Sequence, residues 1–128
     1  MNNKNNQSAE DYLECIMMLQ ERLGNVRSID VASELGVTKP SVSVAMKKLR
    51  EQEMILFEEN GFILFTDEGR KLAKKVYDKH KILTKALIAI GVKEKTAAQE
   101  ACLIEHVISD STYKCIKDFI KRNGTIEE

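Results

Sequence analysis

A glycine between two short amphipathic segments constrains the fold of this chain more than any other feature. The apolar residues of Val26–Leu35 recur at helical spacing, and Gly36 follows, where a residue that adopts a positive φ without steric cost ends a helix. Thr38 is a typical N-cap of a following helix. Pro40 would lie in the first turn of that helix, where its missing N–H costs little. The sequence therefore predicts two helices joined by a short turn, the second over residues 39–52.

A β-hairpin signal follows these two helices. Residues 54–57 and 62–66 are rich in β-prone side chains, and Asn60-Gly61 stands between them. Asn-Gly between two such segments is the strongest short hairpin signal. Helix, turn, helix and hairpin in this order predict a winged helix-turn-helix, in which the short turn lets the second helix enter the major groove of DNA.

Helical periodicity covers most of the remaining chain. One capped helix precedes the turn, over 8–23, and three follow the hairpin: a long one after Thr66, one over 96–109 and one over 111–122. The expected fold class is mainly α, with a small β-hairpin wing and an all-helical second domain. The expected organisation is a disordered tail (1–7), a winged helix-turn-helix DNA-binding domain (8–66), a helical domain (67–122) and a second tail (123–128).

The start of the second helix of the predicted pair suits DNA. Four basic residues and no acidic one lie between Lys39 and Arg50. Hydroxyl and lysine side chains at such a helix start suit phosphate anchoring and short contacts to base edges. The alternative is a small helical domain with a solvated lysine face, but the order of the elements favours DNA binding. The predicted DNA-binding residues are Thr38, Lys39, Pro40, Ser41, Ser43, Lys47 and Lys48.

The charge balance bears on how tightly DNA is bound. The 128 residues include 20 Lys and Arg and 20 Asp and Glu, so the formal net charge is zero. Residues 1–66 hold seven basic and ten acidic side chains. Such a module predicts binding that depends on dimerisation or on a ligand, rather than tight constitutive binding.

Side chains of the metal-ligand type cluster in the second half. Cys102, Glu105 and His106 are three and four residues apart in the predicted helix 96–109, which puts them near one face. Burying such a group without a cation is costly, and the mixed set of donors suits a divalent transition metal. The alternative for a lone cysteine is a small buried hydrophobe. The apolar neighbours that indicate a packed helix are Leu103, Ile104 and Val107.

Three further candidate donors lie elsewhere in the chain. Asp11 and Glu14 share a face of the first helix, and His80 lies within the long helix. If these helices converge on the cluster, six donors surround one pocket, and a metal would couple the DNA-binding module to the second half. The alternatives are first-turn dipole partners for the two acids and a surface position for the histidine. Cys15 and Cys115 have no partner ligands at metal spacing.

Several other classes of protein are disfavoured. No apolar run reaches the ~20 residues of a membrane helix, and the N-terminus has no signal core. Three cysteines without a spacing pattern favour a reducing cytosol. A Cys102–His106 nucleophile pair has no third orienting group, and no phosphate-binding loop is present. We therefore expect a cytoplasmic protein that is not an enzyme and binds no membrane.

Three segments of the chain resemble one protein family. They are Ser8–Glu14, Val37–Ser43 and Glu100–Asp110, within a resemblance that covers roughly residues 8–122. They are similar to the metal-dependent repressors of the diphtheria toxin repressor family, including its manganese transport regulator branch. The resemblance implies a winged helix-turn-helix and an all-helical metal-binding and dimerisation domain, in a short form without the SH3-like third domain. It also implies a homodimer that binds pseudo-palindromic operator DNA when loaded with Mn²⁺ or Fe²⁺ and represses metal-uptake genes.

By the same resemblance, the chain looks like a hybrid of two branches. Asp11 and Glu14 fall where the manganese branch has acidic ligands, whereas the iron branch has a methionine at the position of Asp11. Cys102 falls where the iron branch has a cysteine ligand and the manganese branch a glutamate. The positions that match ligands in both branches are His80, Glu105 and His106.

The resemblance thus implies one main metal site with a mixed ligand set. Oxygen ligands favour Mn²⁺, and a thiolate shifts the preference to Fe²⁺, Co²⁺ or Zn²⁺, so Mn²⁺ or Fe²⁺ is expected, with Co²⁺ and Zn²⁺ as ions that bind in vitro. The acidic and histidine side chains of the iron branch's second site are absent near Thr84 and Ala98. Two alternatives stay open, a structural metal site and a redox switch at the cysteine. The implied ligands are Asp11, Glu14, Cys102, Glu105 and His106, with His80 in this site or at an adjacent second metal.

Overall fold

The computed structural model describes residues 8–123, so the predicted tail 1–7, and the tail 123–128 apart from Asn123, lie outside the described residues. In the described range the order is α1 (Ala9–Leu23), α2 (Ser28–Leu35), α3 (Lys39–Glu51), β1 (Ile55–Phe57), β2 (Ile63–Phe65), α4 (Asp67–Ala89), α5 (Glu94–Ile104) and α6 (Asp110–Arg122). The mainly helical fold class with one small hairpin is confirmed. The chain divides into two compact units, one up to Lys75 and one from Val76.

The helix ends of the first unit follow local capping rules. The hydroxyl of Ser8 accepts a hydrogen bond from the Asp11 N–H at 3.1 Å, and the Asp11 carboxylate accepts one from the Ser8 N–H at 3.3 Å. Thr38 caps α3 in the same way, through the Ser41 N–H at 3.2 Å. Gly36 ends α2 with φ 67°, in the left-handed region that glycine adopts without strain. The predicted turn between α2 and α3 is therefore present.

One boundary of α2 differs from the prediction. The helix begins at Ser28, whereas the sequence pattern placed its start at Val26. The carbonyl of Val26 accepts a hydrogen bond from the Ile63 N–H at 2.8 Å, and the Val26 side chain is buried. The Val26 carbonyl is therefore bonded to the hairpin, and the residue lies outside α2.

The hairpin is antiparallel, and its two faces differ. The register pairs Ile55 with Phe65 and Leu56 with Leu64, so that alternate pairs face opposite sides. Ile55, Ile63 and Phe65 are buried, whereas Leu56 and Leu64 are exposed. The connection is longer than the two-residue turn that Asn-Gly suggests: it spans 58–62 and is closed by the bond from the Glu58 N–H to the Phe62 carbonyl at 2.9 Å.

The first unit has one continuous apolar core. Its residues come from α1, α2, α3, the hairpin and the start of α4. Gly69 lies where α4 passes the backbone of Met54, and a Cβ at this glycine would overlap the Met54 carbonyl. The Thr66 N–H donates to that same carbonyl at 3.1 Å, which fixes the start of α4. Fully buried members of this core include Leu13, Ile16, Leu19, Val31, Met46 and Leu49.

The second unit contains the rest of α4 with α5 and α6. Among the described residues it buries few apolar side chains, and two of them are alanines: Val76, Leu83, Ala97, Ala101 and Ile120. Leu103 and Val107, expected to be packed, are exposed. No helix of the described residues is long and apolar enough to cross a lipid bilayer.

The end of α5 corrects a second prediction. The helix stops at Ile104 and does not continue to Ser109. Ser109 instead caps α6, because its hydroxyl accepts from the Thr112 N–H at 3.0 Å, and an N-cap has non-helical backbone angles. Between the two helices the His106 and Val107 N–H groups bond three residues back, to Leu103 and Ile104, as in a tightened last turn.

Candidate metal centre and nucleic-acid interface

A buried carboxylate stands at the centre of the polar cluster in the second unit. Glu105 is the C-cap residue of α5, and its side chain is only 1% exposed. One carboxylate oxygen lies 3.3 Å from His80 Nδ1, and the other lies 3.7 Å from His106 Nε2. The side chains of the two histidines are 20% and 18% exposed. The turn after α5 and the middle of α4 therefore bring one acid and two imidazoles together.

Cys102 joins this cluster from the last turn of α5. Its side chain is partly buried, and its sulfur and a Glu105 carboxylate oxygen lie within 4.8 Å of each other. The Lys79 ammonium donates to the Glu105 backbone carbonyl at 3.3 Å, which holds the turn against α4. Although Glu105 and His106 lie beyond the end of α5, the tightened turn keeps them on the side of Cys102. The second unit thus groups His80, Cys102, Glu105 and His106.

The first unit supplies an oxygen pair on α1. A carboxylate oxygen of Asp11 and one of Glu14 lie within 4.8 Å of each other. Asp11 is partly buried and also takes part in the capping box with Ser8, so the first-turn role considered as its alternative is present. Glu14 is buried, with 9% of its surface exposed, and carboxylates are rarely buried to this extent.

The other two cysteines have different surroundings. Burial, with a smaller contribution from the Glu34 carboxylate, raises the pKa of the Cys15 thiol to about 12. This disfavours the thiolate form that a metal ligand requires. Cys115 is exposed on α6. Of the three thiols, Cys102 is the one that lies beside other ligand groups.

The donors of the second unit fit a divalent transition ion. A carboxylate, two imidazoles and a thiol form a mixed oxygen, nitrogen and sulfur set, which suits Fe²⁺, Mn²⁺, Co²⁺ or Zn²⁺. A carboxylate that is almost completely withdrawn from water gains stability from a neighbouring positive charge. A cation bound beside the buried Glu105 carboxylate would therefore stabilise it.

The predicted DNA-binding residues lie together on the first unit. They follow one another along the first turns of α3 and around its solvent side, and Thr38, Lys39, Pro40, Ser41, Ser43, Lys47 and Lys48 are all exposed. The Thr38 hydroxyl donates to the Ser41 hydroxyl at 2.9 Å. No acidic residue lies between Thr38 and Glu51 in the sequence.

Two exposed residues of the first unit are not among the predicted DNA-binding residues. Val44 is 60% exposed on α3, and the sequence pattern assigned it neither to the core nor to the DNA-binding residues. Arg27 lies with its guanidinium 4.1 Å from the centre of the Phe62 ring, and its Nε–H donates to the Asn60 carbonyl at 3.1 Å. A helical projection of α3 would have found the valine. No local signal relates Arg27 to the hairpin, because the contact depends on tertiary structure.

Two models of known protein families match this chain, one over each half. Residues 6–61 match the N-terminal DNA binding domain of the iron dependent repressors, and residues 66–125 match their metal binding and dimerisation domain. A transcriptional regulator MntR of Bacillus subtilis is 33% identical over 89% of this chain and 80% of its own length. The chain belongs to the iron-dependent repressor family.

Other members of this family extend the comparison. A regulator of Methanocaldococcus jannaschii, named as an uncharacterized HTH-type transcriptional regulator, is 35% identical over 91% of this chain and 94% of its own length. A solved manganese-dependent transcriptional repressor in complex with manganese has a TM-score of 0.81 and 28% identity. The match covers 94% of this chain and 55% of that one, so the chain spans about half the length of that structure. Iron-dependent repressors are metal-dependent transcriptional regulators and not enzymes. The predicted family and the prediction that the chain is not an enzyme are therefore confirmed.

Proposed function

We propose that this chain is a cytoplasmic, metal-activated transcriptional repressor. It binds pseudo-palindromic operator DNA as a homodimer when loaded with Mn²⁺ or Fe²⁺, and it controls genes of metal-ion homeostasis. The observation that carries this proposal is the buried Glu105 carboxylate, 3.3 Å from His80 and 3.7 Å from His106, in a segment that matches a metal-binding domain.

The ligands of the main site are a thiolate, an imidazole and carboxylates. In this proposal they come from Cys102, Glu105 and His106 of the second unit and from Asp11 and Glu14 of α1. When bound, the ion supplies positive charge and Lewis acidity at this site. Cys102 gives up its proton on binding, because the thiolate is the form that ligates metals. His80 holds the Glu105 carboxylate in place, or ligates an adjacent second ion.

The function requires that metal binding changes the affinity for DNA. Asp11 and Glu14 lie on α1, which packs in the core that also holds α3. Ligands on α1 and on the second unit give the metal a means of favouring one arrangement of the chain, and the two binding events are then coupled in both directions. Because acidic side chains outnumber basic ones in residues 1–66, we expect weak DNA binding by the metal-free chain.

The test is an anaerobic Co²⁺ titration of the chelator-treated protein, followed by absorbance. We expect saturable binding with a sulfur-to-cobalt charge-transfer band, which disappears in Cys102→Ser and persists in the matched control Cys115→Ser. Saturable binding without the band would remove Cys102 from the ligand set and favour Mn²⁺ over Fe²⁺. No binding would overturn the metal dependence.

A second pair of measurements separates a switch from a structural metal site. A switch predicts that the chelator-treated chain is folded by circular dichroism and binds DNA only after metal is added. A structural site predicts that removal of metal unfolds the chain. A redox switch predicts instead that reversible oxidation of Cys102 alters DNA binding in metal-free buffer.

An apolar surface of the second unit supports the homodimer. The last turns of α4 and the end of α6 line an open groove whose exposed lining is almost entirely apolar, formed by Ala86, Leu87, Ala89, Ile90, Cys115, Ile116, Phe119 and Ile120. In a domain matched as a dimerisation domain, a second copy of this chain is the occupant that we propose. We expect Ile90→Lys to give monomers in sedimentation velocity, and Thr112→Lys, an exposed control on α6, to remain dimeric. A monomeric wild type would contradict the dimer.

A further inference from the structure

The centre of the solvent side of α3 is apolar. Val42, Met46 and Leu49 form the buried stripe of this helix. At 100° per residue, the direction opposite that stripe is occupied by Val44, whose side chain is 60% exposed. An exposed valine is ordinary on a protein surface, but this one lies at the midpoint of the surface with which α3 would face DNA.

The neighbours of Val44 on this surface divide into two kinds. Lys47 and Lys48 follow it by one turn, and their charges suit phosphate oxygens. Ser41 and Ser43 flank it with hydroxyl groups, which hydrogen-bond to several base edges without strong preference. Ser41, Val44 and Lys48 line one open cleft, so the valine is accessible beside both kinds of group.

A valine side chain has no hydrogen-bonding group, so it reads a base only through apolar contact. The apolar group in the major groove of DNA is the 5-methyl group of thymine. We propose that Val44 is a specificity-determining residue that contacts a thymine methyl group in the major groove of each half-site. This inference rests on the proposed DNA-binding function and adds to it the base that the centre of α3 selects.

The test uses the full-length protein loaded with Mn²⁺ and a library of random-sequence duplexes. Duplexes enriched by the wild type are resynthesised with deoxyuridine in place of each thymine in turn, which removes the methyl group and leaves base pairing intact. Affinity is measured for the wild type, Val44→Ala, Val44→Ile and Leu23→Ala. Leu23 is the matched control, because it is an exposed apolar residue of the same unit that lies outside α3.

We expect one thymine position per half-site at which deoxyuridine weakens wild-type binding about fourfold, the effect of burying one methyl-sized group. Val44→Ala should bind thymine and deoxyuridine duplexes equally at that position, whereas Val44→Ile and Leu23→Ala should keep the difference. If Val44 had a purely structural role, Val44→Ala would lower the affinity for the thymine and the deoxyuridine duplex by the same factor, and the difference between the two duplexes would remain.

Two outcomes overturn the inference in different ways. If the wild type and Val44→Ala lose the same affinity at every deoxyuridine position, Val44 does not read a methyl group, although the repressor function stands. If the wild type enriches no sequence with Mn²⁺, with Fe²⁺ or without metal, the proposed function itself fails. Enrichment of sites that lack thymine opposite α3 would also contradict the inference.

Discussion

The two units of this chain bury their apolar residues to very different extents. The first unit packs three helices, a hairpin and the start of α4 around one continuous core, with large side chains such as Leu13, Ile16 and Met46 at its centre. The second unit buries few large apolar side chains and places the carboxylate of Glu105 among its buried residues. Ile90 and Phe119 of the second unit remain exposed.

This difference indicates what each unit needs in order to be stable. Burial of apolar area is the dominant favourable term in folding, and the first unit obtains it from its own residues. Ligands that bind the folded state stabilise it by mass action, so we expect metal and association to add to the stability of the second unit. Stability of the first unit should therefore depend on core packing, and stability of the second on metal and on association.

The largest effect is expected from a truncation in the core of the first unit. Leu19→Ala should lower the free energy of unfolding by about 2–5 kcal/mol, because it leaves a cavity in a buried site. The matched control is Leu23→Ala, one turn later on the same helix and exposed, for which we expect about 0.5 kcal/mol or less. Urea denaturation followed by circular dichroism measures both. Equal losses would contradict the contrast between core and surface.

Metal should stabilise the second unit by a comparable amount. With free Mn²⁺ at 100 times its dissociation constant, the expected gain is about 2.7 kcal/mol, and it should be reversed by a chelator. Glu105→Gln should abolish this gain, whereas Glu100→Gln, an exposed acid of α5, should preserve it. Thermal unfolding with and without metal measures the difference. A gain that survives Glu105→Gln would remove this carboxylate from the metal site.

A smaller effect is expected where α4 begins. Gly69→Ala should cost about 1–3 kcal/mol, because the added Cβ overlaps the Met54 carbonyl and forces the backbone to shift. Arg70→Ala, the adjacent exposed residue, serves as the control. If Gly69→Ala were neutral or stabilising in urea denaturation, α4 would have to pass Met54 at a greater distance than the structure shows.

The smallest effect is expected at the cap of α6. Ser109→Ala removes the hydroxyl that accepts from the Thr112 N–H, and should cost about 1 kcal/mol. Ser111→Ala, in the first turn of the same helix, should be nearly neutral. Because Ser109 also ends the turn that holds Glu105 and His106, the metal affinity of Ser109→Ala should fall as well, and the Co²⁺ titration measures this loss.

Local rules predicted most of the first unit. Ser8, Gly36, Thr38 and the Asn60-Gly61 hairpin each act over a few residues, so their signals are readable in the sequence. The start of α2 was missed because Val26 is held by a hydrogen bond from Ile63, far away in the chain. The cation–π contact between Arg27 and Phe62 is of the same long-range kind.

The candidate metal residues were predicted from residue type, helical spacing and the family resemblance. The prediction placed Cys102, Glu105 and His106 on one continuous helix, whereas α5 ends before two of them. The signal for this break was Ser109, an N-cap that requires the chain to leave the helix before α6. Over three or four residues, a helix and a tightened turn both place side chains on the same side. The three side chains therefore lie close together, although α5 ends before Glu105 and His106.

Helix α1 carries a candidate metal ligand near its start and a contact with the hairpin near its end. Asp11 lies in its first turn, and the Gln20 amide, nine residues later, donates to the Ile63 carbonyl of the hairpin at 3.1 Å. About 14 Å of rigid helix therefore separates the carboxylate from the hairpin. Since Ile63 also donates its N–H to Val26, both of its backbone polar groups are engaged. Hydrogen exchange at the Ile63 amide would thus report how often the bond to Val26 opens, at the residue whose carbonyl accepts from the α1 side chain of Gln20.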